Sequence, residues 1–288
     1  MKKVFLVVLL FTLVKITGAQ VPFDALTISP LMPKAGQTIN FKYNTQLSSL
    51  IGQKKVDIVI YFWVTSGYKV VEPKMIKTGT TFSGSFKIDE KANAFAFGFS
   101  SDKEKDNNSG KGYYIPIYNN KNEPITEYYA GIYSFQRLYG EALFDITYNP
   151  QNTLNIFEKG IKQHPELKKD PLFLNTYLYS LNGAKKAAAI SLIHDELQQF
   201  ENNGHLTEAG YNTLIQWYTR DKRKGKVDSL TTDMRAAFPD GAWKKNEPID
   251  NFNNEKDLVK KVELYNNYIK QYPPTEDNKQ IIENLKSR

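Results

Sequence analysis

The chain has 288 residues, of which 41% are hydrophobic and 24% charged, and it contains no cysteine. At about 150 residues per domain this length predicts about two domains, and the composition is that of a globular protein. The absence of cysteine excludes disulfides, thiolate zinc sites, cysteine nucleophiles and lipid attachment through a thiol. Only three histidines are present, His164, His194 and His205. We therefore assign no catalytic, cofactor-binding or metal-binding residue.

The first nineteen residues have the three-part pattern of a secretory signal peptide. Lys2 and Lys3 form a basic start, residues 4–14 are apolar except for Thr12, and small residues precede a cleavage point after Ala19. The apolar run is shorter than the about 20 residues that are needed to span a bilayer. The alternatives to a signal peptide are a buried N-terminal helix and a membrane anchor. The pattern predicts a periplasmic or secreted protein without a stable membrane anchor.

Charge gives no sign of a nucleic-acid partner. Without residues 1–19 the formal net charge falls from +7 to +4, and residues 20–149 and 150–288 each carry +2. Nucleic-acid-binding domains concentrate positive charge in one region, and neither half does so.

The first half has the alternation of apolar and polar residues that is typical of half-buried strands. The apolar positions are Ile39, Phe41 and Tyr43; the even positions from Val56 to Val64; Phe82, Gly84, Phe86 and Ile88; and Phe95, Phe97 and Phe99. A further strand is predicted from Tyr113 to Tyr118, where Pro116 indicates an edge or a bulge. Short strands between turn clusters predict an immunoglobulin-like antiparallel β-sandwich over residues 20–148, with a barrel as the alternative.

From about Pro150 the apolar period changes from two to near 3.6, which predicts helices. The predicted stripes are Leu154, Phe157 and Ile161; Ile190, Ile193, Leu197 and Phe200; Tyr211, Leu214, Ile215 and Tyr218; and Leu258, Val262, Tyr265 and Ile269. The segment 160–165 is echoed by 268–273, and both end in proline. Residues 149–288 are thus predicted to be all-α, either a tetratricopeptide-like array with a concave binding face or an irregular bundle. The predicted class is a multidomain α+β protein.

Three acidic residues, Asp102, Glu104 and Asp106, are spaced like the first three ligands of a calcium loop. The motif also needs glycine at its sixth position and glutamate at its twelfth, where Asn107 and Tyr113 stand. We expect a polar hairpin loop here, with a weak cation site left open as the alternative.

Two further motifs have polar side chains that could bind ligands. The run His194-Asp195-Glu196 resembles a reactive cluster, but its pattern is that of a solvated helix face. Five positive charges lie at Arg220, Lys222, Arg223, Lys224 and Lys226. These charges could contact an anionic surface, although a solvated helix end is the simpler interpretation.

Four stretches together resemble one known family. They are Pro33-x-x-Gly36-x-x-Ile39-x-Phe41-x-Tyr43-Asn44, Asp106-Asn107-Asn108-x-Gly110-x-Gly112-Tyr113, Phe238-Pro239-x-Gly241, and Tyr272-Pro273. They resemble the extension that precedes the thioredoxin domain in exported TlpA-like thiol–disulfide oxidoreductases. The resemblance covers nearly all of residues 20–288. The family's Cys-x-x-Cys is absent from this chain, so its thiol chemistry does not carry over.

Sequence and resemblance together predict an exported, non-catalytic binding or scaffold module that needs no cofactor. The expected partner is a protein or peptide, such as a thioredoxin-like domain or its substrates. Ile281, Ile282 and Leu285 have helical spacing in the last segment, before Arg288, and no polar cap is evident there, which in an array favours more chain having once followed. The alternative is a cysteine-free exported enzyme, such as a glycan hydrolase that uses two carboxylates.

Overall fold

The structure is a computed structural model that describes residues 23–64, 67–102, 104–204, 206–276 and 278–287. The predicted signal peptide, His205 and Arg288 lie outside these ranges. The contacts divide the chain into two compact units, Met1–Lys168 with Leu172–Ile190, and Lys169–Pro171 with Ser191–Arg288. The first unit contains an antiparallel β-sheet region followed by helices, and in the described part of the second unit the regular elements are all helices.

Nine strands form two antiparallel sheets within the described part of the first unit. They are β1 (Leu26–Ser29), β2 (Thr38–Asn44), β3 (Asp57–Val64), β4 (Gly67–Val71), β5 (Met75–Thr78), β6 (Thr81–Lys87), β7 (Ala94–Ser101), β8 (Glu104–Asp106) and β9 (Tyr113–Pro116). Sheet A has the order β1-β2-β6-β5. Sheet B has the order β4-β3-β7, and both β8 and β9 pair with β7.

The alternating apolar residues of both sheets meet in one core. The rings of Phe41 and Phe97 have centroids 5.5 Å apart, and Tyr43 stacks on Phe99 at 3.8 Å. Burying the inner faces of the long strands is the main favourable contribution here, because it removes apolar surface from water. The predicted alternation of β2, β3, β6 and β7 is confirmed by this core.

Sheet B is also covered on its other face, by helices. These are α1 (Thr126–Ser134), a π-helical turn (Phe135–Tyr139) and α2 (Gly140–Phe144). Trp63 of β3 contacts Phe135 at a centroid distance of 5.8 Å, and Tyr61 contacts Phe144 at 5.2 Å. This layer explains why Val59, Tyr61 and Trp63, at odd positions of β3, are apolar as well as the even positions.

The remaining helices are α3 (Pro150–Gln163), α4 (Pro171–Lys185), α5 (Ala189–Asn202), α6 (Glu208–Arg220), α7 (Lys224–Ala237), α8 (Trp243–Asn254), α9 (Leu258–Gln271) and α10 (Lys279–Lys286). Helix α3 begins where the Asn149 side chain accepts hydrogen bonds from the amides of Gln151 and Asn152. Asp257 starts α9 in the same way. No helix in the described ranges is both long and apolar enough to cross a membrane.

Each unit has its own helix contacts. In the first unit, Phe157 of α3 packs on Phe173 of α4, with centroids 5.2 Å apart. In the second unit, α8, α9 and α10 share a cluster of Phe252, Tyr268, Ile282 and Leu285. The Glu208 carboxylate accepts hydrogen bonds from the amides of Ala242 and Trp243 at 2.8 and 2.7 Å. Because no side chain of its own caps α8, this glutamate satisfies its first amides.

The structure corrects parts of two predicted apolar stripes. Ile193, Leu197 and Phe200 of α5 are buried, but Ile190 is 55% exposed. On α9, Leu258 and Val262 are 74% and 59% exposed. Their prediction as core residues was wrong, because α9 packs through Leu264, Tyr265, Tyr268 and Ile269 instead.

The transition from strands to helices along the chain also comes earlier than the predicted boundary at residue 148. Helix begins at Thr126, since α1 and α2 cover sheet B. The compact units divide near Ile190, so the helices up to α4 belong with the sheets.

We expect Gly112→Ala to lower the free energy of unfolding by about 2–3 kcal/mol, through left-handed strain and overpacking. Gly112 has φ +72°, and a Cβ there would run into the Tyr114 ring and lie 3.0 Å from Ile146 Cδ1. Gly110 is the matched control, because its φ is +80° but a Cβ would meet nothing within 4 Å. Urea denaturation followed by near-UV circular dichroism measures both. Equal losses for the two variants would contradict the packing argument.

Candidate functional site: a polar groove on sheet A

The outer face of sheet A carries a groove of about 890 Å³. Its residues form two rows across the sheet, because the strand register places them side by side. One row is Thr27, Lys42, Ser83 and Ile76, and the other begins with Ser29, Asn40 and Ser85. Lys74, just before β5, also lines the groove. We call this surface the sheet A groove.

The polar side chains of the sheet A groove are available for a ligand. Among the described residues, no intramolecular side-chain hydrogen bond or ion pair occupies Thr27, Ser29, Asn40, Lys42, Lys74 or Ser85. Ser83 alone of the polar lining side chains is engaged, donating to the Ile76 carbonyl at 3.4 Å. Hydroxyls and amides both donate and accept, so the surface can match a varied polar ligand.

The charge of the groove is one-sided. Lys42 and Lys74 are its charged lining residues, and no carboxylate lines it. It therefore favours an anionic ligand over a cationic one. The groove therefore offers no pair of carboxylates for acid–base catalysis.

A glycine lets the strands beside the groove come close together. A Cβ on Gly84 of β6 would lie 2.8 Å from the Lys74 carbonyl oxygen and 2.9 Å from Cζ of Phe41. Both distances are shorter than normal contacts, so a side chain here would push Lys74 and the start of β5 away. Gly84 therefore helps to set the shape of the groove.

The structure separates the acidic trio that the sequence singled out. Asp106 is buried, whereas Glu104 is exposed and accepts a hydrogen bond from Gln53 at 3.2 Å. Asp102 lies in a turn with φ +49°. No cluster of three metal-ligating side chains is found in the described ranges. The three carboxylates thus do not converge on a cation site in this structure.

Asp106 instead holds together a buried hydrogen-bond network. Its Oδ2 accepts from the hydroxyls of Tyr43 and Tyr113 at 2.7 and 2.6 Å, and its Oδ1 accepts from Ser49 and the amide of Asn108. Burial, reinforced by the Asp106 carboxylate, raises the pKa of Tyr113 well above its ordinary 10.0. Burial raises the pKa of Tyr43 likewise, although a hydrogen bond from Ser48 opposes the shift. These hydrogen bonds connect β2, β8 and β9 and stabilise their packing.

The structure brings together two motifs that are distant in sequence, the histidine of α5 and the basic segment after α6. His194 Nε2 lies 2.8 Å from Asp221 Oδ2, and Arg223 Nε donates to the same oxygen at 2.6 Å. Burial opposes ionisation of Asp221, but these hydrogen bonds from Arg223 and His194 lower its pKa overall. Lys226 pairs with Glu201, and Arg220 lies over the Trp217 ring. Three of the five basic side chains between residues 220 and 226 therefore have contacts within the second unit.

Two adjacent carboxylates do lie together elsewhere, beside β4. Asp89 and Glu90 line a smaller cleft of about 460 Å³, but Lys69 and Lys87 pair with them at 2.6 and 3.1 Å. The hydrogen bond from Lys69 lowers the pKa of Asp89. A general acid must hold a proton near neutral pH, so Asp89 is unsuited to that role.

His164 has a local partner too. It follows α3 as the C-cap residue, as its position before Pro165 predicts, and its Nδ1 lies 3.3 Å from Glu166 Oε1. His205 falls outside the described residues. In the sequence, parts of the sheet A groove are visible only as the polar positions that alternate with the predicted apolar ones of β2 and β6. Strand register would have been needed to join them.

No protein-family model matches this chain. No curated protein matches it either. The geometry of the chain itself carries the functional inference.

Proposed function

We propose that this chain is an exported, non-catalytic binding or scaffold module that holds an anionic polar partner in the sheet A groove. The observation that carries this proposal is the groove's set of polar side chains with no intramolecular partner. These side chains are exposed, and exposed polar groups can exchange their hydrogen bonds with water for hydrogen bonds with a ligand. A concave surface that carries many polar side chains without an intramolecular partner is suited to binding a polar ligand.

The proposal extends to the finer architecture. The shared core of sheets A and B supports an immunoglobulin-like sandwich. The consecutive helices of the second unit support a tetratricopeptide-like array. The resemblance to the accessory extension of thiol–disulfide oxidoreductases supports a protein or peptide partner, including a thioredoxin-like domain or its substrates. The signal-peptide pattern supports action in the periplasm or outside the cell.

The alternative, a carboxylate-dependent glycan hydrolase, has less support. The groove lacks a carboxylate, and the Asp89–Glu90 pair is neutralised by lysines. A hydrolase needs one carboxyl group protonated and the other ionised across the scissile bond.

The proposal is tested by filling the groove. We expect Ser85→Trp to weaken ligand binding by about tenfold or more, the loss of roughly one good contact. Ser85 is exposed, so the fold should tolerate the change. Isothermal titration of the full chain with panels of defined peptides and oligosaccharides measures binding, and mass spectrometry checks that the ligand is recovered intact.

The matched control is Ser229→Trp, the same change at an exposed position of α7. It should leave binding unchanged. The proposal fails if no member of either panel binds, if Ser85→Trp binds as well as the unaltered chain, or if the ligand is cleaved.

A further inference from the structure

Strand β5 is an open edge of sheet A. It pairs with β6 on one side. On its other side, no backbone hydrogen bond from the described residues reaches it. An open edge presents unpaired N–H and C=O groups that can accept another strand.

The hairpin geometry shows which backbone groups face outward. Gly79, with φ +61°, is the first residue of the two-residue loop that joins β5 to β6. In such a hairpin the flanking pair, Thr78 and Thr81, is hydrogen-bonded. Hydrogen-bonded and non-hydrogen-bonded pairs alternate along an antiparallel ladder. The N–H and C=O groups of Met75 and Lys77 therefore point away from β6.

The side chains beside this edge indicate the kind of strand that would fit. Ile76 is 71% exposed, the highest value among the large hydrophobic residues described in the first unit. Lys74 and Lys77 flank it, and Lys77 Nζ donates to the Lys54 carbonyl. The exposed acid in this stretch is Glu72. The edge is therefore apolar at its centre and positively charged around it.

This charge selects against some strands and for others. Lysines on an edge disfavour pairing with an identical edge, because like charges would face each other. A second copy of the chain is thus a poor occupant, while an acidic strand gains attraction. A polypeptide can complete the ladder with its backbone, which an oligosaccharide cannot do.

Building on the proposed function, we propose that the partner is an extended acidic polypeptide segment that adds to β5 as a further strand of sheet A. Its backbone pairs with the outward groups of Met75 and Lys77. Alternate side chains lie on the outer face beside Ile76 and Lys74, the side of the sheet A groove that β5 forms. Its carboxylates on that face meet Lys74.

The test uses the full chain and a labelled probe peptide of alternating glutamate and valine. Matched peptides carry glutamine in place of glutamate, or N-methyl groups on the edge-facing amides. Fluorescence anisotropy should show the acidic peptide binding about tenfold tighter than either matched peptide. Added salt should reduce the difference in affinity between the acidic peptide and the glutamine peptide, because salt screens exposed charges. On binding, amide hydrogen exchange at Met75 and Lys77 should slow by about tenfold.

Lys74→Glu should weaken binding of the acidic peptide by about tenfold. Lys121→Glu, the same charge change in an exposed loop of the first unit, should not. The inference is overturned if the N-methylated peptide binds as tightly as the acidic peptide. It is also overturned if amide exchange in β5 does not slow on binding, or if Lys74→Glu leaves the affinity for the acidic peptide unchanged. If oligogalacturonate binds instead and Ser85→Trp abolishes that binding, the strand inference fails while the proposed function stands. If neither probe class binds, both fail.

Discussion

Replacing Asp106 with alanine is expected to lower the free energy of unfolding of the first unit by about 3–5 kcal/mol. The change removes the common acceptor of Tyr43 and Tyr113, which are almost fully buried. Each buried hydroxyl left without a partner costs about 1–3 kcal/mol, and hydrogen bonds to a charged acceptor are the stronger kind. Urea denaturation followed by near-UV circular dichroism measures the loss.

Glu104→Ala is the control, since it removes an exposed carboxylate from the same strand. It should cost less than about 1 kcal/mol, as surface changes usually do. In a chain that already carries Tyr43→Phe and Tyr113→Phe, Asp106→Ala should cost clearly less than in the natural sequence. A loss from Asp106→Ala no larger than that from Glu104→Ala would show that the network does not pin the strands.

Alkaline pH should destabilise the first unit steeply through the same tyrosines. Folding raises the pKa of Tyr43 and Tyr113 above the ordinary 10.0, chiefly by burial. The folded chain then holds protons that the unfolded chain releases, so stability is fully present below about pH 10 and is lost as pH rises above it. Two such groups give a slope of about 3 kcal/mol per pH unit. Urea titrations at several pH values above 9 measure the slope.

Other buried tyrosines, including Tyr114 and Tyr129, add to the alkaline effect because burial raises their pKa too. The decisive quantity is therefore a difference between chains. The variant with Tyr43→Phe and Tyr113→Phe should show a slope smaller by about 3 kcal/mol per pH unit. Identical slopes would mean that these two hydroxyls keep their ordinary acidity in the folded chain.

Four of the strands that sequence reasoning found have a strong alternating pattern, whereas β9, predicted from Tyr113, is a short buried run without alternation. β2, β3, β6 and β7 are seven or eight residues long and bury all or most of one face. β4 and β5 were missed, because they are short edge strands with mostly exposed residues. Their conformation comes from pairing with a neighbour, and no local pattern records it.

Helical periodicity revealed that an apolar face exists but not which part of it is covered. The stripe on α9 was placed partly on Leu258 and Val262, one side of the true contact face. Helices α1 and α2 were missed for the opposite reason. Helix α1 carries tyrosine at Tyr128, Tyr129 and Tyr133, so its faces differ little in polarity, and α2 has five residues, too few to show a helical period.

The candidate site was beyond sequence reasoning in a specific way. Asn40, Lys42, Ser83 and Ser85 alternate with the predicted apolar positions of single strands, but only the strand register places them in one groove. Asp106 was placed in a polar loop, while Tyr43 and Tyr113, its buried partners, were assigned to strand faces. The contact of His194 with Arg223 likewise joins residues 29 positions apart. Such pairings are long-range facts of the fold.

The helical layer over sheet B sets the smallest fragment of this chain that can be expected to stay in solution. A polypeptide truncated at Ile125 would keep all nine described strands but would expose the rings of Tyr61, Trp63 and Tyr114, which α1, the π-helical turn and α2 cover. A contiguous aromatic patch of that kind promotes aggregation. A shortened chain should therefore be kept at least through Ile190, where the compact unit that contains both sheets ends.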